Sequence, residues 1–275
     1  MKALESFAAH AVAIVATMFA LYPLLWVLGL AISPAGMASE PALWPLPDSP
    51  SLANAKAVVS GNPHFWTQLA NSLIVSGATA TVAIFLALPA AYALARFRFF
   101  GAQPGLRAML WTQMFPGVAS AVPLYVILDK LGLLDSRSGL VLVYATTAIP
   151  FALLQLKGAF EGIPIELEEA AWVDGASRVR TFLTIVIPAA RPAIAVTFLF
   201  AFMSAWNEFI LAATLLSRES AFTLPVVLQR VVGEHAAHWG VFAAGALIVS
   251  VPVVALFYVA QRSLVSGLTA GSVKG

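Results

Sequence analysis

Few residues in this chain are of types that do chemistry, and they fall in three places. The first is residues 169–192, EAAWVDGASRVRTFLTIVIPAARP, where Glu169 and Asp174 sit close to Arg178, Arg180 and Arg191. The second is Asn207-Glu208, an amide and a carboxyl set into an apolar run. The third is Glu234, His235 and His238. An ionisable group within an apolar run is costly, and it marks a substrate path, a proton relay or an interhelical hydrogen bond. The two histidines three residues apart could touch a metal, but they read better as part of a solvated loop, so no metal site is expected. The chain has no cysteine, which excludes thiol nucleophiles, disulfides and iron–sulfur ligation. No G-x-x-x-x-G-K-[ST] phosphate loop occurs, so a nucleotide that drives this protein is bound by another chain. The apolar runs hold no acid–base, nucleophile or metal set, and the chain is not expected to be an enzyme.

The elements that must position these residues are set by composition. Of 275 residues, 60% are hydrophobic and 10% charged, with a mean hydropathy of +0.89, whereas a soluble domain is about 25% charged. The apolar runs exceed 18 residues without period-two alternation, so the backbone satisfies itself in lipid as helices and not as a barrel. An all-α polytopic membrane protein follows, with the lipid bilayer as its solvent. The net charge of +2 gives no argument for nucleic acid.

Six spans are predicted, at about residues 10–32, 68–95, 108–128, 140–160, 192–216 and 240–261. The first is too long for the apolar region of a signal peptide, and more spans follow, so it reads as uncleaved despite the small residues 35–38. Six prolines in residues 33–69 forbid a continuous helix there, which suggests an external loop with Trp44, Phe65 and Trp66 at headgroup level. The divisions are then residues 1–69, the first span with that loop; 70–262, a core of five spans carrying the loop 161–191; and a tail, 263–275. An even number of spans puts both termini on one side, with Lys2, Arg96, Arg98, Arg107, Lys157, Arg178, Arg180, Arg191, Arg262 and Lys274. Only Lys56, Lys130, Arg137, Arg218 and Arg230 face the other. The excess of basic residues predicts that the termini and the loop 161–191 are cytoplasmic.

That loop reads as a helical hairpin. Pro164 opens a helix whose first turn carries Glu166, Glu168 and Glu169, favoured by the helix dipole. Gly175 can end it in the left-handed conformation. Ser177 is a candidate N-cap for a second helix over 178–187 that Pro188 would stop. Ala170 and Ala171 leave the first helix slim enough to enter a groove, Trp172 and Val173 offer apolar anchors, and Glu169 and Asp174 offer charge. The alternative is an amphipathic hairpin lying on lipid headgroups.

Glu169-Ala170-Ala171, Asp174-Gly175-Ala176, Phe182, Ile185, Pro188 and Pro192 resemble the EAA loop of binding-protein-dependent ABC importer permeases. Asn71-Ser72-Leu73, residues 91–97 (AYALARF) and residues 204–209 (SAWNEF) are similar to the carbohydrate, maltose-type branch of that family. The tail, residues 267–275, resembles that of the smaller maltose permease subunit. The resemblance implies a type I ABC importer permease fold with a cytoplasmic coupling helix-turn-helix. It implies that Glu169, Ala170, Ala171, Trp172, Asp174 and Gly175 meet an ATPase, with Ile185 and Pro188 as scaffold and Gly271 and Lys274 close to the ATPase dimer.

The implied partners are a second permease subunit in a heterodimer, an ABC ATPase dimer holding ATP and Mg, and an extracytoplasmic sugar-binding protein. No cofactor is bound by the chain itself, and the setting is a bacterial cytoplasmic membrane. The loop 218–238 resembles the one that engages the binding protein, although it could equally form an interfacial helix. Asn207 and Glu208 are candidates for the pathway or its gate, with a hydrogen-bonding role favoured for Glu208. The alternative function is an ion-coupled secondary transporter using Glu208.

Overall fold

The computed structural model describes residues 2–34, 44–115, 117–234 and 239–271, and these are helical with no strand among them. In chain order the helices are α1 (Lys2–Ala31), α2 (Ala53–Ser60), α3 (Phe65–Arg96), α4 (Ala102–Gln113), α5 (Ala121–Lys130), α6 (Arg137–Glu161) and α7 (Glu166–Val173). They continue as α8 (Arg178–Thr181), α9 (Ile187–Ala189), α10 (Arg191–Trp206), α11 (Ile210–Leu215), α12 (Leu224–Glu234) and α13 (Trp239–Gly271). Four stretches are long and apolar enough to cross a membrane: Ser6–Ala31, Phe65–Arg96, Arg137–Glu161 and Trp239–Gln261. Two bent helix pairs bring the number to six when each is taken as one broken span.

The chain divides into two compact units, Met1–Trp66 with Val226–Pro252, and Thr67–Pro225 with Val253–Gly275. In the first, Ala31, Ala243 and Ala244 form a small core against Val27, Leu30, Ala55 and Val58. Buried Asn54 donates from Nδ2 to the carbonyls of Ala31 at 3.1 Å and Ser33 at 2.8 Å. It thereby satisfies groups that the end of α1 leaves without intrahelical partners. Gly240 lies against the Asn54 amide, where a Cβ would clash. Phe65, expected at headgroup level, is instead buried at 2% exposure, while Trp44 and Trp66 are exposed.

In the second unit α3 buries an alanine stripe, Ala80, Ala83, Ala87 and Ala91, at the three- and four-residue spacing of one helix face. Such small residues let membrane helices approach closely. Helix α10 packs on α6, with Phe151 and Phe200 in edge contact and Phe202 stacked on Trp206.

Three expected elements differ. The third span is not one rod: Ala102–Gln113 and Gly117–Lys130 meet at 92°. The fifth breaks after Trp206 and resumes as α11, because the polar pair Asn207-Glu208 turns its side chains onto the backbone. The tail assigned from residue 263 is not separate from the last span, whose helix continues to Gly271. A single glycine costs a helix only about 1 kcal/mol, so Gly267 does not end a long one.

Candidate functional site

The hairpin of residues 161–191 is built from local signals that act where they were expected. Helix α7 carries Glu166, Glu168 and Glu169 in its first turn. Gly175 takes φ +85°, and its N–H donates to Trp172 O while Ala176 N–H donates to Ala171 O, at 3.0 and 2.9 Å. These are the two bonds of a Schellman closure, which needs a left-handed residue at this corner. The Ser177 hydroxyl accepts from Arg180 N–H at 3.3 Å and caps α8.

The second helix departs from its expected stop at Pro188. Residues Phe182–Val186 form a π-helical turn, in which Ile187 N–H donates to Phe182 O, and helix continues through Pro188 as α9. Widening the turn ahead of the proline relieves the clash its ring would make with the preceding carbonyls. The bend comes later: Arg178–Ala189 and Arg191–Trp206 meet at 74°. Val186 is fully buried, while Ile185 and Pro188 are half-buried.

The outer surface of the corner is Glu169, Ala170, Val173, Asp174 and Gly175, all exposed, with Val173 at 88%. Trp172 is not part of it. Its ring is half-buried beneath Arg178, whose guanidinium lies 4.8 Å from the Trp172 ring and 5.2 Å from that of Phe97. A cation held between two aromatic faces is a favourable arrangement, and it draws the tryptophan toward the end of α3. The apolar anchor that faces outward is Val173.

Beneath the corner lies the feature that ties it to the membrane. Glu168, one residue before the exposed Glu169, is completely buried. Its Oε2 accepts from Tyr92 Oη at 2.6 Å and its Oε1 from Arg96 Nε at 2.6 Å. Arg96 Nη2 also donates to Ile163 O at 2.8 Å, so one guanidinium holds both the carboxylate and the strand of chain leading into α7. The rings of Phe97, Phe160 and Phe182 surround Tyr92, the nearest centroid at 4.7 Å, and shut water out of the pair.

Glu208 does different work. Its Oε2 accepts from Tyr144 Oη at 2.7 Å and Ala212 N–H at 3.1 Å, and its Oε1 from Leu211 N–H at 2.9 Å. The carboxylate therefore caps α11 and ties the break to α6. Asn207 is exposed and donates to Met203 O at 2.9 Å. Neither residue lies in the cluster around Glu168. Gly271 closes α13, while Lys274, His235 and His238 lie outside the described residues. Among the described residues no group of histidine and acidic side chains could hold a metal.

A family of proteins described as binding-protein-dependent transport system inner membrane components matches residues 81–269, which include the whole hairpin. The chain belongs to that family. The permease is 37% identical over 270 residues to the maltose/maltodextrin transport system permease protein MalG of Vibrio parahaemolyticus, covering 93% of this chain and 91% of that one. It is 34% identical over 259 residues to the trehalose transport system permease protein SugB of Mycobacterium tuberculosis, covering 94% and 93%. A crystal structure of a bacterial ABC transporter involved in import of the acidic polysaccharide alginate superposes at a TM-score of 0.79, with 24% identity over 95% of this chain and 96% of that one. The fold of the permease is therefore that of ABC importer permeases. These comparisons support the permease reading and give none to the ion-coupled alternative, in which Glu208 would be the ion site.

The sequence offered Glu168 only as one of three acids in a first turn. What could have singled it out is periodicity: Glu168 shares a helix face with Ala171 and Trp172, the half-buried side of α7. Arg96, counted for orientation and as part of the 91–97 motif, is the other half of the pair.

Proposed function

We propose that this chain is one of two permease subunits of an ATP-driven importer of a disaccharide or related oligosaccharide, and that residues 161–191 are its coupling element. The observation that carries this reading is the buried Glu168–Arg96–Tyr92 cluster under an exposed, glycine-turned corner. The exposed corner of Glu169, Ala170, Val173, Asp174 and Gly175 seats in the ATPase subunit. Trp172, with Arg178, holds the corner's inner side. Ile185 and Pro188 keep the hairpin braced at the start of α10.

When the ATPase dimer closes on ATP and Mg, it displaces α7. The ion pair passes that displacement to α3, because separating Glu168 from Arg96 would strand a buried charge at a cost of about 3–5 kcal/mol. The spans then move between inward-open and outward-open states, and a sugar-binding protein on the far side delivers the cargo. The basic residues on the hairpin side put both termini and the corner in the cytoplasm of a bacterium. In this reading Gly271 and Lys274 are the tail residues that meet the ATPase dimer. Glu208 and Asn207 shape the break in the fifth span beside the pathway. The chain itself binds no nucleotide and catalyses no reaction. The family's description as binding-protein-dependent, and the trehalose and maltose systems among its relatives, support the partner and cargo classes.

Reconstitution with the second permease, the ATPase and the binding protein tests this. Uptake of labelled trehalose or maltose should require ATP, and Gly175→Pro should abolish uptake while membrane insertion persists. Full uptake by the Gly175→Pro variant would refute the coupling role, and uptake without the ATPase would refute the importer class.

A further inference from the structure

A cavity of about 590 Å³ opens at the end of α3, beside the coupling hairpin and sharing Arg96 with the Glu168 cluster. The last turn of α3, the connection to α4 and the first turn of α4 enclose it, with Lys157 of α6 and Ile165 completing the wall. Three cations line it, Arg96, Arg98 and Lys157, and no carboxylate is among its lining residues. Two of the cations have protein partners: Arg96 is bonded to Glu168 and Ile163 O, and Lys157 to Glu161. Arg98 makes no hydrogen bond or ion pair among the described residues. The coupling role uses Arg96 but neither Arg98 nor Lys157.

The surroundings select among anions. Phe99 lines the cavity, and the next residue, Phe100, is fully exposed. The cavity begins where a membrane-length helix ends, at the depth where aromatic rings and basic side chains meet lipid headgroups. A soluble anion would answer the cations and leave both rings in water. A ligand with a phosphodiester and a hydrocarbon body answers both.

We propose that this cavity binds the headgroup of an anionic phospholipid, with its phosphodiester at Arg98 and Lys157 and its glycerol and acyl chains passing over Phe99 and Phe100. Basic pockets at the membrane boundary between helices are suited to such headgroups. The site does not depend on which sugar is carried, and its test is run without sugar.

The test is native mass spectrometry of the assembled transporter from bilayers of mixed phosphatidylcholine and phosphatidylglycerol. The wild type should retain phosphatidylglycerol selectively. Arg98→Gln and Lys157→Gln should each lower that retention about fivefold, and Arg98→Lys should restore most of it. Arg107→Gln makes the same charge change on α4 outside the cavity and should leave retention unchanged. Equal losses for Arg98→Gln and Arg107→Gln would reduce the effect to general surface charge and overturn the site. So would unchanged retention in Arg98→Gln. Displacement of the lipid by millimolar inorganic phosphate would make the occupant a soluble anion. Retention by the permease pair that vanishes when the ATPase is added would make the cavity a protein contact. Either result overturns the proposal.

Discussion

At one end of α3 the side chains of Gln68, Asn71 and Ser72 meet the backbone of the segment after α11. At the other, Tyr92 and Arg96 meet the carboxylate of Glu168. Asn71 and Tyr92 are about 32 Å apart along the helix at 1.5 Å per residue, roughly the thickness of the hydrocarbon core. At the first end Gln68 Nε2 donates to Glu219 O, Asn71 Nδ2 to Ser220 O and Phe222 O, and Leu224 N–H to Ser72 Oγ, at 2.8–3.1 Å. These bonds are made to main-chain groups of the loop, so they fix where its backbone lies. Phe222 and Leu224, within the loop 218–238, are buried beside this clamp at 2% and 1% exposure.

The other end is charged, centred on the completely buried Glu168, and specific to one residue. A neutral bond of the first kind contributes about 1 kcal/mol net, whereas breaking a buried ion pair is several times costlier. The same helix thus anchors one loop with neutral hydrogen bonds and the proposed coupling loop with a salt bridge.

That contrast can be broken most severely at Glu168. Glu168→Leu or Arg96→Leu should each cost about 3–5 kcal/mol, read as a large drop in thermal stability of the purified permease and loss of ATP-driven uptake. The double variant Arg96→Met/Glu168→Leu should recover much of the stability but not the coupling. Recovery of both would mean that the pair packs the hairpin without transmitting anything.

At the neutral end, Asn71→Ala removes the amide that donates to Ser220 O and Phe222 O and should cost about 1–3 kcal/mol. ATPase activity stimulated by the binding protein should fall less than for the Glu168 variants. An equal or greater fall would show that both ends carry force.

Gly175→Ala is milder. Space is open around the glycine, and the penalty is only that of a left-handed alanine, about 1–2 kcal/mol. Partial uncoupling with normal expression is expected, measured as ATP consumed per sugar imported.

The smallest effect is at Asp135, whose φ of 55° is positive. Its Oδ1 accepts from the N–H groups of Ser217 and Arg218, and its Oδ2 pairs with Arg218 Nε. Burial pushes its carboxyl up, but the bonds from Ser217 and Arg218 outweigh this and hold it below the ordinary aspartate value. A lowered folded value means stability that is present at neutral pH and lost as pH falls from about 3.9 through the folded value. Asp135→Asn should flatten that acid-side decline in a stability titration. An unchanged decline would remove this residue as the titrating latch of the otherwise neutral end.

The sequence alone determined what depends on near neighbours. Apolar length dictated helices in lipid, Gly175 dictated a left-handed corner because other residues pay to sit there, and Ser177 supplied a cap three residues from the N–H it satisfies. The residues of the corner's outer face were legible for the same reason, apart from Ala171 and Trp172, which are half-buried. Tertiary structure decided which of three acids in α7 is buried, because Glu168 finds Tyr92 and Arg96 at separations of 76 and 72 residues. It decided that Trp172 turns under Arg178 while Val173 faces out. It decided that Glu208 ends one helix and caps the next, since the deciding contact is a tyrosine 64 residues away. Short-range sterics and hydrogen bonds are written in adjacent letters; the partner of a buried charge is known only when two distant helices meet.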